Sequence, residues 1–397
     1  MAYTFDTDDV AFLRSDDGAA VLAELDRRPL TAKSRMDDVA TARRLAGERF
    51  SSAALETAVL RRRAESKVAD PSRWLFTDPA LQQATPAEVA RHRARRLSGR
   101  DVHDVTCSVG ADLHEIATQA WHSVGSDLDS VRLAMARHNL RETRALLVRA
   151  DALRPTTRAT AVVADPARRD SAGRRTWKAA DLVPRLDELV ETYAGRDLTV
   201  KCAPGLDFAA VPESAEVEVV SLDARVREAC LWFGELATPG VRRRATVLRR
   251  TASGGCAKWT ITDTESDECP ERPVGQWIVD PDGSVVRAGL VRQYAARHGL
   301  GQLDHRIAYL TGDAPPPDVR AFRVFDSGRH NEKALRALLR KHRIGVVEIL
   351  VRGLDVDPDA LRRRLKPKGP GSASVLLTRV GSTPMAYLCV AERTPPA

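Results

Sequence analysis

Four acidic positions, each closing a short apolar run, are the residues of this 397-residue chain best placed to do chemistry. The first run ends in DVTCSVGADL, where Asp104, Cys107, Ser108, Gly110 and Asp112 crowd a turn that leads into an apolar-periodic segment. Small residues there let backbone approach a ligand, and amides at the start of a helix bind polar groups. Seventeen residues past Gly110 the second run ends in SDLD, with Asp127 and Asp129. A carboxylate at that point can accept two hydrogen bonds from ribose hydroxyls. The third run ends in RADAL, where Asp151 can receive an exocyclic adenine amine. The fourth ends in ADPARR, where Asp165 and Pro166 form a stiff turn. Any one of these aspartates can equally be a helix N-cap. Four in this order point to a nucleoside-containing cofactor.

Other constellations are blunter. Cys202, in VKCAPG, occupies a strand end from which a thiolate could attack a pyrimidine ring. With no second pocket cysteine and no activating histidine, a buried small hydrophobe is the expected role. The six cysteines include no C-x-x-C pair and the nine histidines are dispersed, so neither a disulfide framework nor a metal site is expected. Trp177 and the Trp232–Phe233 pair could stack on a base, although core packing is the expectation for both. Arg174, Arg175 and Lys178 lie beside the ADPARR turn and could face a phosphodiester or water.

Strand ends can converge only on a suitable scaffold, and the chain outlines one. Residues 1–100 read as helical, with apolar residues at helix spacing through VAFL, AAVLAEL and ALETAVL. In QQATPAEVARHRARRL, Thr85 is the expected N-cap, Pro86 the first helical residue and Glu88 the reciprocal member of a capping box. Gln83 and Thr85 could approach a cofactor. Residues 101–250 alternate short β-branched strands with helices, the pattern of a parallel sheet covered on both faces, with room for an antiparallel edge among the late strands. Residues 251–318 form an intermediate α/β segment that closes in the proline run DAPPPD, a linker signal. Residues 319–397 read as β-α-β-α-β-β. This last part carries the charge: residues 321–397 hold 15 Lys/Arg against 7 Asp/Glu, which is the whole net excess of +8. Such asymmetry suits phosphate binding. No apolar run is long enough to span a membrane and the N-terminus is acidic, so a cytoplasmic location is expected.

The succession DVTCSVGAD, VGSDLDSVRLAMARHNL, RADAL and VVADPARR resembles the class I S-adenosylmethionine (SAM)-dependent methyltransferases. LFTDPALQQAT, VKCAPGLDF, LWFGEL and VEILVRGLDVDPDALRRRL resemble more closely the bacterial methyltransferases with a C-terminal THUMP-like domain. The resemblance implies an N-terminal helical region, a Rossmann-like α/β sheet and a small α/β THUMP-like domain, with SAM as cofactor. It implies that Asp104, Cys107, Ser108 and Gly110 meet the methionine part of SAM, that Asp127 meets the ribose and that Asp151 meets the adenine. Asp165 and Pro166 would then face the methyl acceptor. The acceptor it implies is structured RNA, tRNA or rRNA, held through Arg362, Arg363, Arg364, Lys366 and Lys368. Two departures stand out. Ser108 occupies a place where glycine is common. Ala167–Arg168 stands where enzymes that methylate exocyclic amines have a proline and a base-stacking aromatic; Arg168 or Arg169 could contact a phosphate instead. Two alternatives follow: a degenerate methyltransferase fold acting as an RNA-binding or assembly module, and an enzyme acting on a protein or small molecule.

Overall fold

The computed structural model describes residues 3–168 and 182–394. They form two compact units. The first comprises residues up to 222 with 227–239 and 248–257, and the second 258 onward with 223–226 and 240–247.

The first unit begins with α1 (Thr7–Leu13), α2 (Asp16–Asp26) and α3 (Arg35–Ala64), which Gly47 kinks at φ +67°. Asp6 and Ser15 cap the first two by accepting the Asp9 and Gly18 amides. Their apolar stripes, among them Val10, Leu13, Leu22, Leu25 and Leu60, bury against one another and reach Val109 and Met135 farther along the chain. Two more helices follow, α4 (Asp78–Gln83) and α5 (Ala87–Arg96). Contrary to the sequence expectation, α5 starts after Pro86 with no side-chain cap. The Thr85 hydroxyl is committed elsewhere, as described below.

The sheet of this unit contains β1 (Asp101–Asp104), β2 (His122–Asp127), β3 (Leu146–Arg149), β4 (Ala161–Ala164), β5 (Asp197–Cys202), β6 (Glu216–Leu222) and β7 (Arg225–Phe233). The strand order is β6-β7-β5-β4-β1-β2-β3. The run β3-β2-β1-β4-β5 is parallel, so the carboxyl ends of five strands share one edge. Helices α6 (Ala111–Ala117), α7 (Ser130–Asn139) and α8 (Leu186–Thr192) make the connections. Period-2 alternation sorts the strand residues. Val162, Ala164, Leu198, Val200 and Cys202 pack with Leu186, Leu189 and Tyr193 on one face. Val102, Ala161 and Val163 pack with residues of α5, α6 and α7 on the other. Each fully buried Leu or Val contributes roughly 1.5–3 kcal/mol, so the double-faced burial holds the strand ends firmly. β7 runs antiparallel to β5, pairing Leu198 with Phe233 and Cys202 with Ala229. Two further strands, Arg243–Arg250 and Cys256–Thr262, carry the chain onward.

In the second unit, β8 (Trp277–Val279), β9 (Gly301–Gln302), β10 (Leu310–Gly312), β11 (Arg320–Arg329), β12 (Ile344–Val351), β13 (Gly371–Val380) and β14 (Thr383–Arg393) form one sheet in the order β9-β10-β8-β11-β14-β13-β12. The α9 (Gly283–Ala288) and α10 (Val291–Arg297) helices lie between β8 and β9 in the chain. From β11 onward the order is β-α-β-α-β-β, with α11 (Glu332–Lys341) and α12 (Pro358–Leu365) capped by Asn331 and Asp357. Leu335 and Leu339 of α11 and Leu361 and Leu365 of α12 bury against Val347, Ile349 and Val375.

Candidate active site

The turn after β1 is built on two left-handed residues. Ser108 has φ +50° and Gly110 φ +85°. The first explains why glycine would be at home at Ser108: an L side chain in this region costs about 1–2 kcal/mol. At Gly110 a Cβ would also come within 2.9 Å of the Leu140 side chain. The turn is tied to the second strand by Ser108, whose amide donates to Asp127 Oδ2 at 3.0 Å. Asp127 Oδ1 accepts the Asp129 amide at 2.9 Å. Asp129 itself caps α7, accepting from Val131 and Arg132. The two acids of SDLD are thereby separated: Asp129 caps a helix, and Asp127 lines a cavity. Each Asp127 oxygen retains a second lone pair for a ligand hydroxyl.

That cavity measures about 460 Å³ and opens at the carboxyl ends of β1 to β4. Asp104, Cys107, Ser108, Asp127, Asp151 and Asp165 line it, together with Ala80, Gln83 and Ala84 around the end of α4. Gly110 is not part of the wall and shapes the turn instead. Pro166 lines only a smaller adjoining cavity of about 210 Å³. Asp151 holds its own loop by accepting the Leu153 amide at 2.9 Å. Asn139, buried on α7, fastens the helical region to the turn. Its Oδ1 accepts the Leu75 amide, and its Nδ2 donates to the carbonyls of Leu75 and Val109, all at 2.8–2.9 Å.

The acids differ sharply in state. Burial pushes the Asp104 carboxyl up to about 8, reinforced by the neighbouring Asp112 and Asp165, so it is a neutral acid at pH 7. Asp112 is half-buried, and Arg93 and then Lys201 outweigh the cost of that burial and hold it at about 2. Arg93 donates to Asp112 at 2.6 Å and to Glu228 at 2.5 Å. Lys201 donates to Thr85 Oγ1 at 2.8 Å, to Asp165 Oδ2 at 2.5 Å and to Asp112 Oδ2 at 3.3 Å. Burial alone would lower the lysine, but Asp112 and Asp165 raise it above its ordinary value. Burial, then Asp104 and Asp127, raises the Cys107 thiol, which leaves it uncharged rather than nucleophilic.

Lys201 and Arg93 were not among the site residues expected from the sequence. A signal for Lys201 was present: a lysine within a strand buried on both faces requires a partner. Its neighbour Cys202 points the other way, into the core, as expected. Trp232 is also fully buried, with Nε1 donating to Glu218. Arg169, Arg174, Arg175, Trp177 and Lys178 lie outside the described residues. No cluster of metal-binding side chains occurs among the described residues, and no described helix is long and apolar enough to cross a membrane.

A family model described as THUMP domain-like matches residues 319–391, and one described as a domain of unknown function matches residues 6–64. A crystal structure of a candidate methyltransferase from Porphyromonas gingivalis superposes with a TM-score of 0.76 at 18% identity, covering 98% of this chain and 100% of that one. It shares the fold. Two Mycobacterium tuberculosis strains each hold a protein named as an uncharacterized SAM-dependent methyltransferase that is 52% identical over 354 residues, 85% of this chain and 97% of theirs. The chain belongs to this family of SAM-dependent methyltransferases. Its cofactor is therefore SAM, and the larger cavity is of a size and chemistry to take it. A volume of about 460 Å³ lies within the range of small-molecule sites. Its wall carries more carboxyl groups than cations, which suits a ligand bearing a sulfonium and an ammonium.

Proposed function

We propose that this methyltransferase acts on structured RNA, tRNA or rRNA, with SAM in the larger cavity and the acceptor meeting it at Asp165. The observation that carries the reading is the exposed cationic end of the THUMP-like segment. Arg362, Arg363, Arg364, Lys366 and Lys368 are all exposed at the end of α12 and in the loop after it. Arg362 pairs with Asp359 and Arg364 with Glu332. Arg363, Lys366 and Lys368 have no ion-pair partner among the described residues. The loop after α12 lies against the turn after α11, so closely that a Cβ on Gly369 would fall 1.9 Å from the Arg343 carbonyl oxygen. This contact brings exposed Arg340 and Arg343 to the same end. Cations at helix C-termini are favourable for local reasons, but Arg340, Arg343, Arg363, Lys366 and Lys368, none with an ion-pair partner among the described residues, form a phosphate-binding surface at two adjoining ends.

In the larger cavity, Asp127 receives the ribose hydroxyls, Asp151 the adenine amine, and the turn from Asp104 to Gly110 the methionine part. SAM supplies an electrophilic methyl group. The protein's task is then to align an acceptor and to exclude water, and Asp165 orients the acceptor N–H or O–H. The test is incubation with methyl-tritiated SAM and total RNA. The expected result is label in a discrete RNA fraction, lost in Asp127→Ala together with S-adenosylhomocysteine (SAH) binding. Label confined to protein or small molecules would overturn the RNA reading, and full binding in Asp127→Ala would overturn the ribose assignment.

A further inference from the structure

The two cavities adjoin, and they share Gln83, Ala84, Asp165, Ala167 and Lys201. Thr85, Pro166 and Glu228 belong to the smaller one alone. Asp165 and Lys201 thus stand where a methyl donor in the larger cavity and an acceptor in the smaller one would meet. We infer that Lys201 is a positioning residue for methyl transfer, holding the Asp165 carboxylate at the junction of the two cavities with one oxygen left for the acceptor. The inference rests on the proposed site assignment.

The lysine ammonium has three N–H donors and three acceptors: Thr85 Oγ1, Asp165 Oδ2 and Asp112 Oδ2. None is left over for a ligand, so Lys201 acts through its partners rather than by touching substrate. These partners come from three places in the chain: the α4–α5 connection, α6 and the end of β4. Asp165 is held from its other side as well, because its amide donates to Thr106 Oγ1 at 2.6 Å. Its Oδ1 has no hydrogen-bond partner among the described residues and is the atom free to meet an acceptor. As the acceptor nitrogen or oxygen bonds to the methyl carbon, the carbon–sulfur pair leaves with sulfur and the acceptor proton passes to Oδ1. A carboxylate displaced by about 1 Å would cost about 10²-fold in rate.

The test is a double-mutant cycle of Lys201→Met and Asp165→Asn, with Lys201→Arg and Thr85→Val alongside. SAH affinity is measured by calorimetry, and kcat and KM on the methylated RNA fraction. Lys201→Met should lower kcat by about 10²-fold with SAH affinity and KM little changed, since Asp112 keeps Arg93 as partner. In the Asp165→Asn background the lysine substitution should cost nothing further. Lys201→Arg should restore part of kcat, and Thr85→Val, which removes a single partner, should show a smaller loss of the same kind. Additive losses in the double variant, or SAH affinity falling in step with kcat, would overturn the inference. If the wild type binds SAH but methylates no RNA, the RNA reading alone fails. Crystal structures of wild type, Lys201→Met and Thr85→Val with SAH then decide. An Asp165 carboxylate shifted by about 1 Å in a variant supports the inference, and one unmoved in both overturns it.

Discussion

Asp104 lines the larger cavity as a buried, protonated acid. With a folded value of about 8 against an ordinary 3.8, it keeps a proton that the unfolded chain gives up. Its contribution to stability is therefore fully present at low pH and declines as pH rises from about 4 to about 8, levelling off above. A cationic ligand beside it favours the charged form. Binding SAM should then expel part of a proton at pH 7, and affinity should rise as pH approaches 8. Calorimetry in buffers of different ionisation enthalpy reads the proton directly. In Asp104→Asn the release should vanish and the affinity gain between pH 6 and 8 should be lost. A wild type that releases no proton, or a variant that releases as much, would place the ligand's charge away from Asp104. The pairing that controls Asp104's neighbours was harder to foresee, because Arg93 and Asp112 lie 19 positions apart in the chain and Lys201 and Thr85 lie 116 apart.

Among the elements, α7 joins the helical region to the turn after β1 through Asn139. Replacing it with alanine leaves the Leu75 amide and the carbonyls of Leu75 and Val109 without their partner. Buried groups so abandoned cost about 1–3 kcal/mol each, and since they share one site a total near 3 kcal/mol is expected. The measurement is amide exchange at Leu75, which should speed up by roughly two orders of magnitude, accompanied by weaker SAH binding because Val109 and the end of α4 both line the cavity. Unaltered exchange would show that the helical region is held by its apolar contacts alone. The elements around this clamp were largely legible in the sequence. β-branched runs alternating with amphipathic segments placed β1 to β5 and the helices between them, and the acids at their ends fell on the cavity wall. β7 announces itself less clearly in the sequence, for a physical reason. It follows β6 through Asp223–Ala224, both with φ above +50°, a tight hairpin turn that ordinarily advertises itself with asparagine or glycine. Thr85 was misread because a hydroxyl before a helix caps it by default, unless a buried ammonium claims it first.

On the scale of the whole molecule, the larger cavity is lined entirely by residues of the first unit, while the cationic ends of α11 and α12 belong to the second. Binding of cofactor and of RNA should therefore be separable by mutation. Reversing Arg363, Lys366 and Lys368 to glutamate changes residues that are exposed and free of ion pairs among the described residues, so folding has little to lose. If these side chains neutralise phosphates, each contact removed lowers the slope of log K against log salt by about 0.7–0.9, or about 2–3 for the triple variant. RNA affinity at low ionic strength should fall steeply, while the SAH dissociation constant stays that of the wild type. Turnover should fail through KM for RNA rather than through kcat, because these residues hold the substrate without touching the reacting atoms. An unchanged salt slope would remove the cationic end from the RNA interface. A fall in kcat at saturating RNA would mean that the second unit also orders the acceptor at Asp165.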